Sequence, residues 1–215
     1  MDRALFRPLV ARLVTTSALA LAAGCSLLPT IAYIIKPEDV SAEFDGLNGK
    51  RVAVICRAAS LEYADPTVAR DLSVRVAALL KENGRKVAVV DERDLADWVD
   101  KHDWHDYREV GRALKADMVV GIDLERFALS RGSTLLQGQA DLRLAVYDVE
   151  SGQRRWEPGR TLSVKFPPNS PYSSSDRKEE DFRRQFLDVL AERVARHFYA
   201  YNSRNDVALD STVLK

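Results

Sequence analysis

The sequence predicts a mixed α/β fold in the order β-α-β-α-β-β-β-α, with a parallel first half and an antiparallel meander packed by helices. Between residues 51 and 122, short apolar runs alternate with helical apolar stripes, which is typical of βαβ units. Residues 138–166 instead alternate apolar and polar side chains around a tight turn, which is typical of antiparallel strands with one buried face. The sheet is therefore expected to be mixed.

The first βαβ unit is predicted over residues 51–90. A buried strand over 51–56 precedes a helix that begins at Asp65 and Pro66, a usual N-cap and first helical residue. The apolar side chains of this helix recur on one face, at Val68, Leu72, Val76, Leu79 and Leu80. Asn83-Gly84 ends the helix, and a second strand follows over 86–90.

The remaining elements follow in the same way. Residues 91–115 are expected to be helical with a break near His102, and a third strand over 117–122 continues towards Leu129. Strands over 138–150 and 154–166 flank the turn at Ser151-Gly152. A polar loop over 167–175 then leads to a long final helix, which is expected to start at Asp176 and to reach Tyr201.

Residues 1–24 are predicted to be a secretory signal peptide. Arg3, Arg7 and Arg12 precede an uncharged stretch, 13–24, that spans only about 18 Å as a helix and is too short to cross a bilayer. Leu21–Cys25 resembles the lipobox of bacterial lipoproteins. That resemblance implies cleavage between Gly24 and Cys25 and acylation of the cysteine, for instance with palmitate. The alternative is an unlipidated secreted protein.

The chain is expected to have four parts. The signal peptide is followed by the lipidated cysteine and a tether over 25–49, a periplasmic domain over 50–201 and a mobile tail over 202–215. Residues 31–35 are apolar and are expected to pack either on the domain or on the bilayer surface. Ser26 after the cysteine resembles the enterobacterial pattern for sorting to the outer membrane, so the outer membrane is favoured over the inner one.

Composition excludes several classes of function. Thirty-two basic and 32 acidic residues give no net charge, which argues against a nucleic-acid binder. Two cysteines cannot build a disulfide framework or a four-thiolate zinc site, and Cys56 is expected to be buried in its apolar strand. No phosphate-binding loop, dinucleotide fingerprint or nucleophile elbow is present. We therefore predict no catalytic residue, no metal and no cofactor.

One cluster has residue types that bind metals. His102 and His105 lie three residues apart, with Asp103 and Asp106 between and after them. The preferred interpretation is a junction between helices, in which Asp103 caps the next helix and both histidines are solvated.

Two surface regions are candidate binding sites. The first is a crevice at the carboxyl ends of the parallel strands, with Arg57, Glu62 and Tyr63. The second comprises two loops, 167–175 and the hairpin end 130–137, represented by Leu135, Leu136, Pro168 and Tyr172, because loops on a rigid scaffold commonly bind partners. Both leucines are expected to be exposed at the tip of the hairpin end.

A family resemblance rests on three stretches of the second half. Ala116–Gly121, then 139–152 ending in Asp148-Val149-Glu150-Ser151-Gly152, and Trp156 are similar to the superfamily of TolB amino-terminal domains, curli-secretion lipoproteins and penicillin-binding-protein activators. The resemblance implies a mixed α/β domain in the bacterial periplasm that acts by protein contact. Curli-type pores insert amphipathic hairpins into the membrane, whereas this segment carries charges at Asp123, Glu125, Arg126, Arg131, Asp141 and Arg143.

The leading hypothesis is therefore a non-enzymatic lipoprotein whose periplasmic domain mediates protein–protein contacts in cell-envelope assembly. Its expected partners are the lipid bilayer, through acylated Cys25, and another envelope protein, with no nucleic acid. The alternative is a ligand-binding or sensory domain that uses the Arg57 crevice. A secretion-pore subunit and a metal-dependent enzyme are less favoured.

Overall fold

A mixed sheet lies at the centre of the fold. The computed structural model describes residues 39–58, 66–130, 134–175 and 177–202. Its strands are β1 (Asp39–Val40), β2 (Arg51–Ala58), β3 (Ala88–Val89), β4 (Met118–Ser130), β5 (Leu135–Asp148), β6 (Arg154–Trp156), β7 (Leu162–Phe166), β8 (Tyr172–Ser173) and β9 (Tyr201–Asn202). Its helices are α1 (Pro66–Asn83), α2 (Glu92–Lys101), α3 (Tyr107–Ala113) and α4 (Glu179–Ala195).

The predicted combination of parallel and antiparallel pairs is confirmed. The seven-stranded sheet has the order β3-β2-β4-β5-β6, and β7 and β8 also pair with β5. The neighbours of β2, which are β3 and β4, run parallel to it. The long strand β5 pairs antiparallel with β4 on one edge and with three short strands on the other. The first half is thus parallel and the second half is a meander.

The larger core fills the face of the sheet that α1 and α4 cover. Alternate side chains of β2, β4 and β5 point into it, because successive residues of a strand face opposite sides. Phe182 and Phe186 of α4 are fully buried there. A Cβ atom added to Gly138 would lie 2.6 Å from the Phe186 ring, so only glycine lets this ring approach the sheet.

A smaller core lies on the opposite face, under α2 and α3. It comprises Ala53, Ile55, Val90, Tyr107, Val110, Ala116 and Val119. The Tyr107 ring packs flat against Gly121, where an added Cβ atom would be 2.9 Å from the ring. The predicted break in the second helical region is confirmed, since α2 ends at Lys101 and α3 begins at Tyr107.

The predicted strand over 154–166 is wrong, because the chain leaves the sheet between β6 and β7. Pro158 lacks a backbone N–H, and Gly159 follows it, so these residues do not continue a hydrogen-bonded strand. Both pieces still pair with β5, at Val146–Tyr147 and at Gly138–Leu142. The loop expected over 167–175 likewise contains β8. The second strand is shorter than expected, at Ala88–Val89.

The final helix is also shorter than the sequence predicts. It starts after Lys178, which caps it without a side-chain hydrogen bond, while the expected cap Asp176 lies outside the described residues. It ends at Ala195, and Tyr201 belongs to β9, which pairs with β1. Phe198 is buried against Trp156, with ring centroids 5.3 Å apart. The helix thus ends where the chain turns to pack Phe198 on Trp156 and to pair Tyr201 with β1, and the periodicity of the sequence does not report these contacts.

The folded unit begins before residue 50. Leu47 is 1% exposed and belongs to the larger core, and the backbone N–H of Phe44 donates to the carbonyl of His197. Residues 39–49, which were expected to be part of the tether, therefore pack on the domain. We call β1, β9, Glu43, Phe44, Trp156 and His197 the terminal clasp, because they join the two ends of the described chain.

Some sequence predictions lie outside the described residues. They include the signal peptide, the cleavage site at Gly24 and Cys25, the apolar stretch 31–35 and most of the tail. Among the helices that the structure describes, none has the length and apolar character needed to cross a bilayer.

Candidate interaction groove

A groove of about 770 Å³ runs between α1 and α2 along the edge of the sheet. It is open because β3 is so short: Ala88 and Val89 pair only with Arg51 and Val52 at the start of β2. Beyond Val52, no strand in the described part of the chain pairs with β2 on this side. The gap that a longer edge strand would fill is the groove.

The walls of the groove are mostly apolar. Val54, Ile55 and Cys56 of β2 form its floor. The α1 wall presents small side chains, at Ala69, Ser73, Ala77 and Ala78, and the α2 wall presents Leu95, Ala96 and Val99. Trp104 lies beside them in the connection between α2 and α3. The cavity has the size and apolar character typical of sites that bind ligands or peptide segments.

Helix α2 leaves its apolar side partly open to this groove. Leu95, Trp98 and Val99 lie on one side of the helix, yet none of the residues of α2 is buried. Leu95 and Trp98 pack against the smaller core, as the apolar stripe of an amphipathic helix normally does, but both stay partly exposed. A salt bridge from Arg70 to Glu92, 3.1 Å long, joins α2 to α1, but both side chains are about half exposed, so the bridge stabilises little.

Helix α1 supplies a hydrogen-bond acceptor to a backbone N–H on the open edge of β2. The backbone N–H of Cys56 donates to the Ser73 hydroxyl at 2.7 Å, and this hydroxyl donates to the carbonyl of Ala69 at 3.0 Å. Cys56 is half-buried and not fully buried as expected. Burial, and then the charge of Asp123, raise the pKa of its thiol, so the thiol stays protonated and is a poor nucleophile.

Arg57, which lines the groove, belongs to a polar network with Tyr107 and Asp123. Arg57 Nε donates to Asp123 Oδ1 at 2.5 Å, and the Tyr107 hydroxyl donates to the same oxygen at 2.8 Å. The Arg57 guanidinium lies 4.9 Å from the centre of the Tyr107 ring. Burial, and then the charge of Asp123, raise the pKa of Tyr107. The phenol is therefore neutral, and it keeps its proton while it donates the hydrogen bond to Asp123.

The predicted crevice can be compared with the groove only at one residue. Arg57 lines the groove, as part of the network with Asp123. Glu62 and Tyr63 lie outside the described residues. The sequence interpretation missed the α1 and α2 walls. The signal that could have revealed the α2 wall is the amphipathic pattern of residues 92–101, which places Leu95, Trp98 and Val99 on one side of the helix.

The cluster around His102 forms the expected junction between helices. His102 Nδ1 lies 2.8 Å from the carbonyl of Trp98, and its ring stacks on the Trp98 ring. Asp106 caps α3 by accepting the backbone N–H of Arg108, so the predicted cap at Asp103 is wrong. The described residues contain no group of three or more potential ligands placed to hold a metal ion.

The two predicted partner loops are built into the sheet more than expected. The expected exposure of Leu136 is wrong: it is 3% exposed and belongs to the larger core, because it points inward where β5 pairs with β8. Tyr172 is half-buried and its ring packs on Phe182. Leu135 is 38% exposed and Pro168 is exposed, and their role as partner contacts stays a prediction.

No protein-family model matches the chain, and no curated protein sequence matches it significantly. Among solved structures, the chain is similar to a PelC dodecamer from Paraburkholderia phytofirmans, with 14% identity and a TM-score of 0.45 over 76% of this chain and 97% of that one.

Two bacterial lipoproteins are also among the similar structures. GNA1162 from Neisseria meningitidis has 13% identity and a TM-score of 0.40, over 67% of this chain and 97% of that one. A minor lipoprotein from Acinetobacter baumannii has 18% identity and a TM-score of 0.38, over 71% and 92%. Structural neighbours thus include bacterial lipoproteins, but TM-scores below 0.5 do not assign a function.

Proposed function

We propose that this chain is a non-enzymatic, lipid-anchored envelope protein whose α/β domain binds an apolar segment of another envelope protein in the groove between α1 and α2. The single observation that supports this function is the open groove beside α2, whose apolar side chains are only partly buried. Contact with a partner segment would remove this apolar surface from water, at roughly 25 cal/mol per Å².

The charges around the groove indicate the chemistry of the partner segment. Asp94 and Asp100 of α2 line the groove, and neither has an ion-pair partner among the described residues. The cations Arg51 and Lys81 are at the other side, on β2 and α1. A segment with apolar side chains and a lysine or arginine facing α2 complements this arrangement.

The test is site-specific photocrosslinking in intact cells. A photoreactive residue at Val99, in the groove, should crosslink to a discrete partner, whereas one at Lys165, an exposed residue of β7 away from the groove and from the predicted partner loops, should not. Ala78→Trp places a large ring in the groove and should abolish the crosslink. Ala113→Trp, at an exposed alanine of α3, is the matched control and should leave it unchanged. Equal crosslinking from both positions, or no effect of Ala78→Trp, would overturn the groove as the binding site.

The anchor is tested separately. The charge pattern and lipobox of residues 1–25 support acylation of Cys25. Labelled palmitate should enter the wild-type protein and not the Cys25→Ser variant, and the wild type should fractionate with membranes. Equal labelling of both proteins would contradict the anchor without affecting the groove.

A second candidate function is the binding of a small apolar ligand. The size of the groove favours it, since ligand pockets typically enclose about 300–1,000 Å³. Native mass spectrometry of the purified protein distinguishes the two. A bound small molecule that Ala78→Trp removes supports the ligand, and a ligand-free mass together with the Val99 crosslink supports the protein partner.

A further inference from the structure

One end of the sheet carries a concentration of exposed basic side chains. It is the end where β2 and β4 begin, and we call it the basic end; its cations are Lys50, Arg51, Arg85, Lys86, Lys115, Arg154 and Arg155. All of these residues are exposed. They come from four separate segments of the chain, so the sequence shows no basic run.

Backbone hydrogen bonds hold these four segments together. The N–H of Gly49 donates to the carbonyl of Arg85, and the N–H of Ala88 donates to that of Lys50. Asp117, just before β4, donates its N–H to the carbonyl of Arg51, and its own carbonyl accepts the N–H of Val149. The N–H of Asp148 donates to the carbonyl of Gln153, which directly precedes Arg154. The basic residues are therefore fixed on one rigid surface.

The basic end carries fewer carboxylates than cations, and three of the carboxylates accept hydrogen bonds or form a salt bridge. They are Asp45, Asp117, Asp148, Glu150 and Glu157. Asp117 accepts the backbone N–H of Arg51, and Glu157 forms a salt bridge with Arg154. The N–H of Ser151 is the main cause of the lowered pKa of Asp148, and the nearby charges of Arg155 and Lys50 contribute to it. The seven cations of the basic end outnumber these five carboxylates, so positive charge is in excess on this surface.

Two of the lysines of the basic end have an unusual backbone conformation. Lys86 and Lys115 have φ values of 56° and 53°, in the left-handed region, shortly after the ends of α1 and α3. Glycine is the usual residue at such positions, because a side chain there costs roughly 1–2 kcal/mol. Both turns instead present a lysine at the basic end.

The chain enters the domain beside this end. The Phe44 ring of the terminal clasp lies 6.1 Å from the Trp156 ring, and Trp156 directly follows Arg155. From Cys25 to Asp39 the chain can span at most about 50 Å, even when fully extended. If Cys25 is acylated, the basic end is thus on the side of the domain from which the anchor leaves.

We propose that the basic end is a second membrane contact, which binds the anionic phospholipid headgroups of the bilayer that holds Cys25. This inference rests on the proposed function in one respect only: the acylated Cys25 brings the domain to the bilayer. The first 24 residues hold three arginines and one aspartate, so the cleaved chain has 29 basic and 31 acidic residues and is slightly negative overall. Binding to an anionic surface therefore depends on the uneven distribution of charge, and salt weakens it.

The test uses residues 26–215, which contain every described residue and lack the acylated cysteine, in sedimentation with vesicles. Wild type should bind vesicles of phosphatidylglycerol and phosphatidylcholine at least ten-fold more tightly than vesicles of phosphatidylcholine alone, and 0.5 M NaCl should abolish the difference. Lys50→Glu/Arg85→Glu/Arg155→Glu should lose at least ten-fold in affinity. Arg93→Glu/Lys165→Glu/Lys178→Glu, which makes the same charge change at exposed positions elsewhere, should lose less than two-fold.

Three outcomes would overturn the proposal. They are equal binding to both vesicle types, equal losses in the two triple variants, and binding to heparin without binding to anionic vesicles, which would indicate an anionic polysaccharide instead. The palmitate labelling of Cys25 is independent of this assay, so failure of the anchor and failure of the basic end are distinguishable.

Discussion

Helices α4 and α2 cover opposite faces of the same sheet, and they pack very differently. Helix α4 buries eight of its side chains, including two phenylalanines that stack among the rings of the larger core. Helix α2 buries none and borders an open groove. Both helices have apolar side chains at helical spacing, so amphipathic pattern alone does not show how tightly a helix is packed. We infer that α4 stabilises the fold and that α2 is free to serve binding.

The largest expected effect tests the tightly packed side. Phe186→Ala should lower the free energy of unfolding by about 3–5 kcal/mol, because the ring is fully buried and its removal leaves a cavity. Urea denaturation measures the change, with Leu135→Ala as a control at an exposed position. A loss below about 0.5 kcal/mol would mean that α4 is not the rigid side.

The second prediction compares the two faces through glycines. Gly138→Ala and Gly121→Ala each add a methyl group against a ring, that of Phe186 and that of Tyr107 respectively. Overpacking commonly costs about 1–3 kcal/mol. We expect Gly138→Ala at the upper end of this range and Gly121→Ala at the lower end, because the α2/α3 layer can shift into the groove. Thermal unfolding of both variants measures the difference, and the reverse order would contradict the comparison.

The third prediction concerns the junction between α2 and α3. Asp106→Ala should cost about 1 kcal/mol, since it removes the side-chain cap of α3, whereas Asp103→Ala should have no comparable effect. Hydrogen bonds from the Arg108 side chain hold the pKa of Asp106 below its usual range. Because the folded pKa is the lower one, this stabilisation is present above about pH 4 and is lost as the pH falls through the depressed pKa. Unfolding curves from pH 7 to pH 3 should show a smaller acid-induced loss in Asp106→Ala.

The smallest effect is expected in α2 itself. Leu95→Ala should change the free energy of unfolding by less than about 1 kcal/mol, because the side chain is only half-buried. Hydrogen exchange should be faster for the amides of α2 than for those of α4. Slower exchange in α2 would mean that the groove is closed in solution.

The strands and helices that the sequence predicted well are those where local pattern and packing agree. The run over 52–55, the stripe of Val68, Leu72, Val76 and Leu80, and the alternation of Ala140, Leu142, Leu144 and Val146 all correspond to buried positions. In these segments, the spacing of the apolar side chains in the sequence directly identifies the face of the strand or helix that is buried. The mixed sheet follows from these periods.

Two of the errors share a cause. Tyr201 leaves an apolar helix to pair with β1, and Leu136 is covered by β8, so both outcomes depend on a segment distant in sequence, which one-dimensional periodicity does not report. The break between β6 and β7 is different, because Pro158 and Gly159 interrupt the strand locally. The candidate site shows the same limit, since only Arg57 among the groove residues was chosen from the sequence, and it was chosen for its place at the end of a strand.

By itself, the sequence determined the fold class and the break between α2 and α3, and it predicts the address encoded by residues 1–25. These depend on local properties: periodicity, helix ends and the order of charged and apolar residues. Only the tertiary structure decided that β3 is too short to cover β2, that α2 therefore borders a groove, and that basic residues from four segments meet at one end of the sheet. The physical reason is that a surface is formed by residues far apart in the chain. Its shape and charge therefore depend on which segments pack together, and local sequence patterns do not report this.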